Sequence, residues 1–128
     1  MSILGVGNDI VAIPRISDLL QDHGDRFLAR CFTPREIAYI QSRGRGAAAS
    51  AAARWAAKEA FLKALGQDVS AIPYQDIEVV RQEHGQVTLE LHGKARAALT
   101  AAGAVAWHVA LSHEREFAAA TVILEKRG

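Results

Sequence analysis

Apolar positions recur along the chain with two periods, and the switches between them mark out its elements. Ile3–Val11 is apolar except at Asn8 and Asp9 and reads as a first strand, with Gly5 and Gly7 marking a bulge or a close backbone approach. Pro14 suits the first turn of a helix carrying Arg15, Ile16, Leu19 and Leu20. Gly24 breaks that pattern before a second helical stretch with Phe27, Leu28 and Arg30. Thr33-Pro34-Arg35-Glu36 is a capping box with proline at the first helical position, and the helix it opens should end near Ser42–Gly46. From Ala47 to Leu65 the chain is strongly helical, with Gly66 as its C′ residue and a buried stripe of Ala57, Phe61, Ala64 and Leu65.

Beyond Gly66 the period changes to two. Asp76–Arg81 and Gln86–His92 alternate apolar and polar residues around a Glu83-His84-Gly85 turn. Lys94–Ala102 is a short helix closed by Gly103, and Ala106–Ser112 and Phe117–Glu125 are β-rich, joined across His113–Glu116. The order β-α-α-α-β-β-α-β-β contains one candidate crossover and two hairpins. It predicts an α+β fold, a largely antiparallel sheet packed with helices, in a single domain over residues 1–128.

Composition narrows the function without naming it. The chain has 128 residues, half of them hydrophobic and 23% charged, as in an ordinary globular domain. No apolar run reaches the ~18–20 residues of a membrane helix, and the start reads as no secretory leader, so no membrane role is expected. One cysteine, Cys31, forms no internal disulfide, which suits a cytoplasmic location. A net charge of +1 excludes a bulk nucleic-acid polycation. The 25 alanines against eight aromatics bury little area each, which makes oligomerisation a natural supplement.

Four features could carry chemistry. Asp9 ends an apolar strand, either as a turn or cap residue or as a ligand for a hard cation such as Mg²⁺. Glu59 and Lys63 lie four apart on one helix face, where they form either an exposed ion pair or the acid and base of a metal–phosphate centre. His113, at a strand end, is either a surface residue or a donor to a phosphate; its adjacency to Ser112 argues against a serine hydrolase. Arg15, Arg26, Arg30 and Arg35, with Leu19, Phe27 and Leu28 nearby, form either a solvated face or a dock for an acidic helix. There is no phosphate-loop lysine pattern, no G-x-G-x-x-G and no zinc spacing, and His23, His84, His92 and His108 receive no role.

Taken in order, these segments resemble the holo-acyl-carrier-protein synthase family, the small bacterial 4′-phosphopantetheinyl transferases. The resemblance rests on Gly7-Asn8-Asp9-Ile10-Val11, on Phe27 to Glu36, on Arg54-Trp55-Ala56-Ala57-Lys58-Glu59-Ala60 through Gly66, and on Ser112-His113 followed by Phe117–Val122. It implies a 4′-phosphopantetheinyl transferase-like fold that moves the phosphopantetheine arm of coenzyme A onto a serine of apo acyl carrier protein for fatty-acid biosynthesis, releasing adenosine 3′,5′-bisphosphate. By resemblance Asp9 and Glu59 bind Mg²⁺, and Lys63 sits by the diphosphate as the third catalytic residue. Arg54 and His113 hold the nucleotide end with its 3′-phosphate. Arg15, Leu19, Arg26, Phe27 and Arg30 receive the acidic helix of the carrier protein. A homotrimer with active sites between subunits is implied as well. The chain departs from the family at Trp55, where phenylalanine is common, and at Gly85-Gln86-Val87, where many relatives have a proline near the adenine.

Overall fold

A computed structural model describes residues 1–66 and 69–128. Strand β1 (Ser2–Ala12) leads into helix α1 (Ile13–Cys31), followed by α2 (Pro34–Ser42), α3 (Ala47–Leu65), the hairpin β2 (Ile77–Arg81) and β3 (Val87–Leu91), α4 (Gly93–Ala102), β4 (Ala104–Glu114) and β5 (Phe117–Lys126). The order is the predicted one. The strands form two antiparallel sheets, a three-stranded β1-β5-β4 and a two-stranded β2-β3. The Trp107 indole on β4 donates to the Leu89 carbonyl on β3 at 3.0 Å and ties the two sheets together.

Local chemistry sets the boundaries. Gly24, at φ 41° and ψ −116°, kinks α1 where the apolar pattern breaks. The Thr33–Glu36 capping box forms reciprocally: the Glu36 amide donates to Thr33 Oγ1 at 3.2 Å, and the Thr33 amide to Glu36 Oε1 at 2.9 Å. Gly66 closes α3 in the left-handed conformation at φ 69°. The β4–β5 turn is tighter than expected. β4 runs on to Glu114, and the reversal falls at Arg115, with φ 53°, and Glu116.

Helix α3 differs from the expected one-sided stripe. It is buried on nearly every side, with Ala51, Ala52, Ala56, Ala57, Ala60 and Phe61 sealed from solvent and even Arg54 and Lys58 inside. Val11, Ala118, Ala120, Val122 and Leu124 cover it from the three-stranded sheet, while Phe27, Leu28, Ile40 and Ile77 close the core elsewhere. Alanine makes this possible, because a helix without bulk can be approached closely from several directions. The opposite face of the three-stranded sheet carries the exposed side chains of Val6, Ile10 and Phe117.

Candidate functional site

The seam between β1 and α3 begins with two glycines. A Cβ on Gly5 would lie 2.0 Å from the Ala64 carbonyl oxygen, and one on Gly7 would lie 1.7 Å from that of Ala60. Only glycine permits this approach. Two strand residues advance ~6.6 Å and four helical residues ~6 Å, so antiparallel strand and helix stay in step. Asp9, on the same face as Gly5 and Gly7, therefore falls against the next turn of α3.

There Lys63 reaches back to it, donating to Asp9 Oδ1 at 2.9 Å and to the Asn8 carbonyl at 3.0 Å. The Asp9 side chain keeps 15% of its exposure and that of Lys63 55%, so the pair opens to solvent. Glu59 stands one turn before Lys63 on the same helix. Its Oε1 accepts from the Tyr74 hydroxyl at 2.8 Å. Burial, the hydrogen bond to Glu59 and that carboxylate's charge push the Tyr74 phenol up to about 12, so it remains a donor at neutral pH. Asp9 and Lys63 thus meet at the seam, with Glu59 one helical turn from Lys63, and among the described residues each carboxylate has one oxygen engaged. Among the described residues, no group of three or more His, Cys, Asp or Glu side chains could hold a metal. The donor set instead fits a hard cation that takes one or two carboxylates and completes its shell with phosphate and water oxygens.

A second cavity, of about 440 Å³, brings Arg54 and His113 together and adds Tyr39, Arg43, Arg81 and Gly85; no acidic side chain lines it. The Arg54 guanidinium lies 4.2 Å from the centre of the Tyr39 ring and donates to Ser50 Oγ at 2.9 Å. Its buried Nε has no hydrogen-bond partner among the described residues, and burial lowers the guanidinium's pKa below the usual arginine value. Burial pushes the Tyr39 phenol up, but the hydrogen bond from Arg43 and the charges of Arg81, Arg54 and Arg43 outweigh it, and the net displacement is downward. Three guanidiniums line this cavity, with the charge of Glu36 acting on Arg54, a lining whose charge suits an anion.

Leu19, Arg26, Phe27 and Arg30 line a third cavity of about 540 Å³ on α1, together with His23. Arg15 lies elsewhere. Its guanidinium covers the Trp55 ring at 5.0 Å, and Trp55 in turn lies 6.3 Å from the Tyr74 ring, which relates Arg15 to the Glu59 side of the molecule.

Lys58 received no role from the sequence, and its structural part is clear. Fully buried, its Nζ donates to Glu36 Oε1 at 2.8 Å, to the Tyr74 carbonyl at 3.0 Å and to the Ile77 carbonyl at 2.5 Å. Glu36 Oε2 accepts from the Val79 amide at 2.9 Å, so one ion pair joins α2, α3 and β2. Neighbouring Glu78 accepts from Thr33, from Arg35 and from the His92 ring. Burial alone would raise its carboxyl, but these three partners hold it down at about 2. Tyr39, Arg81 and Tyr74 were missed as well. Tyr39 and Arg81 meet α3 only through tertiary packing, and Tyr74 lies 15 positions from its partner Glu59 with no spacing signal.

Comparison with known proteins agrees in extent as well as kind. The 4′-phosphopantetheinyl transferase superfamily is matched over residues 5–122. The holo-acyl-carrier-protein synthase of Koribacter versatilis strain Ellin345 is 45% identical over 124 residues, covering 96% of this chain and 98% of that relative. That of Gloeobacter violaceus is 44% identical over 117 residues, 91% of this chain and 89% of its own. Among solved structures, a Chronobacterium ammoniagenes synthase–coenzyme A complex superimposes with a TM-score of 0.86 at 30% identity, covering 100% of both chains. A Helicobacter pylori synthase in complex with coenzyme A gives 0.81 at 26% identity, covering 94% of this chain and 99% of that one.

Proposed function

The chain belongs to the holo-acyl-carrier-protein synthase family of 4′-phosphopantetheinyl transferases, and on that premise we propose that it transfers phosphopantetheine from coenzyme A to a serine of apo acyl carrier protein at the β1–α3 seam. The observation that carries this reading is the Asp9–Lys63 pair at the seam, with Glu59 one helical turn from Lys63. Asp9, paired with Lys63, and Glu59, bonded by Tyr74, would hold Mg²⁺. When bound, the ion would supply charge neutralisation for the diphosphate.

The chain's own groups do the rest. The Lys63 ammonium meets the diphosphate oxygens, where negative charge gathers as the serine oxygen attacks phosphorus. Glu59 assists the departure of the serine proton to a water. Arg54 and His113 bind the nucleotide end and its 3′-phosphate in the arginine-lined cavity. The α1 groove, with Leu19, Arg26, Phe27 and Arg30, receives the acidic helix of the carrier protein, and Arg15 contacts it from beside Trp55.

Residues 1–128 act as one such domain, in the cytoplasm and in support of fatty-acid biosynthesis; among the described residues no helix is long and apolar enough to cross a membrane. The exposed Val6, Ile10 and Phe117 on one sheet face support a homotrimer whose active sites lie at subunit interfaces. The test is to incubate the protein with coenzyme A, Mg²⁺ and apo carrier protein and to weigh the carrier. A gain of one phosphopantetheine arm, abolished by chelator, is expected. No gain with several carriers overturns the enzyme reading.

A further inference from the structure

The seam contains a group that no part of the reaction scheme uses. The Tyr74 hydroxyl donates to Glu59 Oε1 at 2.8 Å, and no hydrogen bond among the described residues reaches Oε2. Tyr74 is itself fixed from three sides. Its carbonyl accepts from the buried Lys58 ammonium at 3.0 Å, and its ring lies against Trp55 with centroids 6.3 Å apart. Pro73, extended at φ −67° and ψ 146°, starts the single 3-10 turn, Tyr74–Asp76, that carries it. A glutamate on a helix has three rotatable side-chain bonds and, unheld, spreads its carboxylate over several rotamers. Here one oxygen is held and the other is left to point.

We propose that Tyr74 is a positioning residue of the transfer reaction: by holding Glu59 Oε1, its hydroxyl aims the other carboxylate oxygen at the cation shared with Asp9. The symmetry of the seam supports this. Lys63 holds Asp9 Oδ1 as Tyr74 holds Glu59 Oε1, so among the described residues each acid has one oxygen without a hydrogen bond. A small octahedral cation that keeps several water or phosphate ligands needs that geometry, whereas a bidentate carboxylate suits a larger ion. Hydrogen-bond partners of metal ligands typically contribute about 10–100-fold to affinity or activity.

The inference rests on Glu59 being a cation ligand, and the test separates the two claims. Mn²⁺, with its free signal followed by electron paramagnetic resonance, is titrated into the full chain saturated with coenzyme A. The proteins compared are wild type, Tyr74→Phe, Glu59→Gln and the double variant. Phenylalanine keeps the ring against Trp55 and removes only the donor. Tyr74→Phe is expected to weaken Mn²⁺ binding about tenfold and to raise the divalent-ion concentration for half-maximal turnover by the same factor. The double variant is expected to bind no more weakly than Glu59→Gln alone, because the tyrosine acts only through that carboxylate. Wild-type Mn²⁺ affinity in Tyr74→Phe beside a weakened Glu59→Gln overturns this inference and leaves the site intact. Additive losses in the double variant overturn it too, since a merely structural tyrosine behaves that way. Normal binding by Glu59→Gln removes the cation site itself, and the inference with it.

Discussion

The two lysines of α3 live in opposite surroundings. Lys58 is sealed in the interior, and all three of its donors are used, on Glu36 and on the carbonyls of Tyr74 and Ile77. Lys63 is half-exposed and binds Asp9 through one oxygen, the other lacking a hydrogen bond among the described residues. The same contrast divides the polar clusters around the helix. The Glu36–Lys58–Glu78 cluster is saturated by capping amides, carbonyls, Thr33, Arg35 and His92. Among the described residues, the Asp9–Glu59 seam and the arginine cavity are incomplete, with one oxygen of each carboxylate and Arg54 Nε lacking a hydrogen bond. A fully paired buried network holds a fold together, and leaving a buried polar group unpaired costs about 1–3 kcal/mol. Under the proposed function, the incomplete clusters are where a bound ligand would complete the bonding.

The largest effect should come from the saturated side. Lys58→Met strands Glu36 as an uncompensated buried charge, and a loss of about 3–5 kcal/mol is expected in urea unfolding. Adding Glu36→Gln should recover part of that loss, because it removes the stranded charge. A Lys58→Met protein as stable as the wild type would show that the network does not hold α2, α3 and β2 together. On the incomplete side the signs reverse. Asp9→Asn and Glu59→Gln should each slow carrier modification about 10²-fold or more, while unfolding free energies from urea titration stay within about 0.5 kcal/mol of wild type. If either variant lost stability and kept turnover, the division of the two clusters would fail.

Acid sharpens the comparison further. Glu78 is held at about 2 by Arg35, Thr33 and His92, below the ordinary glutamate value of 4.5. A carboxyl depressed in the folded state binds its proton more readily when unfolded, so its stabilisation is fully present above pH 4.5 and is lost as the pH falls toward 2. Between pH 5 and 3 the wild type should lose on the order of 2 kcal/mol through this group. Glu78→Gln should start lower at pH 7 and show a shallower acid limb in denaturant titrations. Equal acid slopes in the two proteins would contradict the assignment.

Much of this was legible before any coordinates. The capping box at Thr33, the kink at Gly24, the close approach at Gly5 and Gly7 and the caps at Gly66 and Gly103 are local signals, read within a few residues. Asp9, Glu59 and Lys63 were legible because a charge in an apolar segment is costly and stands out. What stayed hidden depends on partners distant in sequence. Lys58 received no role because its counter-ion comes from α2, and nothing in the spacing announced that α3 would be buried on nearly every side. Arg15 was grouped with the other arginines of α1, yet the kink and the helical rotation carry it to Trp55. Tyr39 and Arg81 acquire meaning only when α2 and β2 close over Arg54.

The smallest effect tests the orphaned donor. Arg54 is 4% exposed, stacked on Tyr39, with its Nη1 spent on Ser50 and its Nε on nothing among the described residues. If that Nε belongs to a bound 3′-phosphate, only a guanidinium serves, since a lysine ammonium is a point charge that neither stacks on the ring nor offers a planar fork. Arg54→Lys should then raise the KM for coenzyme A about tenfold and leave kcat near wild type, because the binding it removes is equal in ground and transition states. Dephospho-coenzyme A, which lacks the 3′-phosphate, separates this from general damage to the cavity. Its KM starts higher and should not move on substitution. A parallel rise for both donors would mean that Arg54 merely props Tyr39 and the cavity wall, which would move it into the saturated class with Lys58.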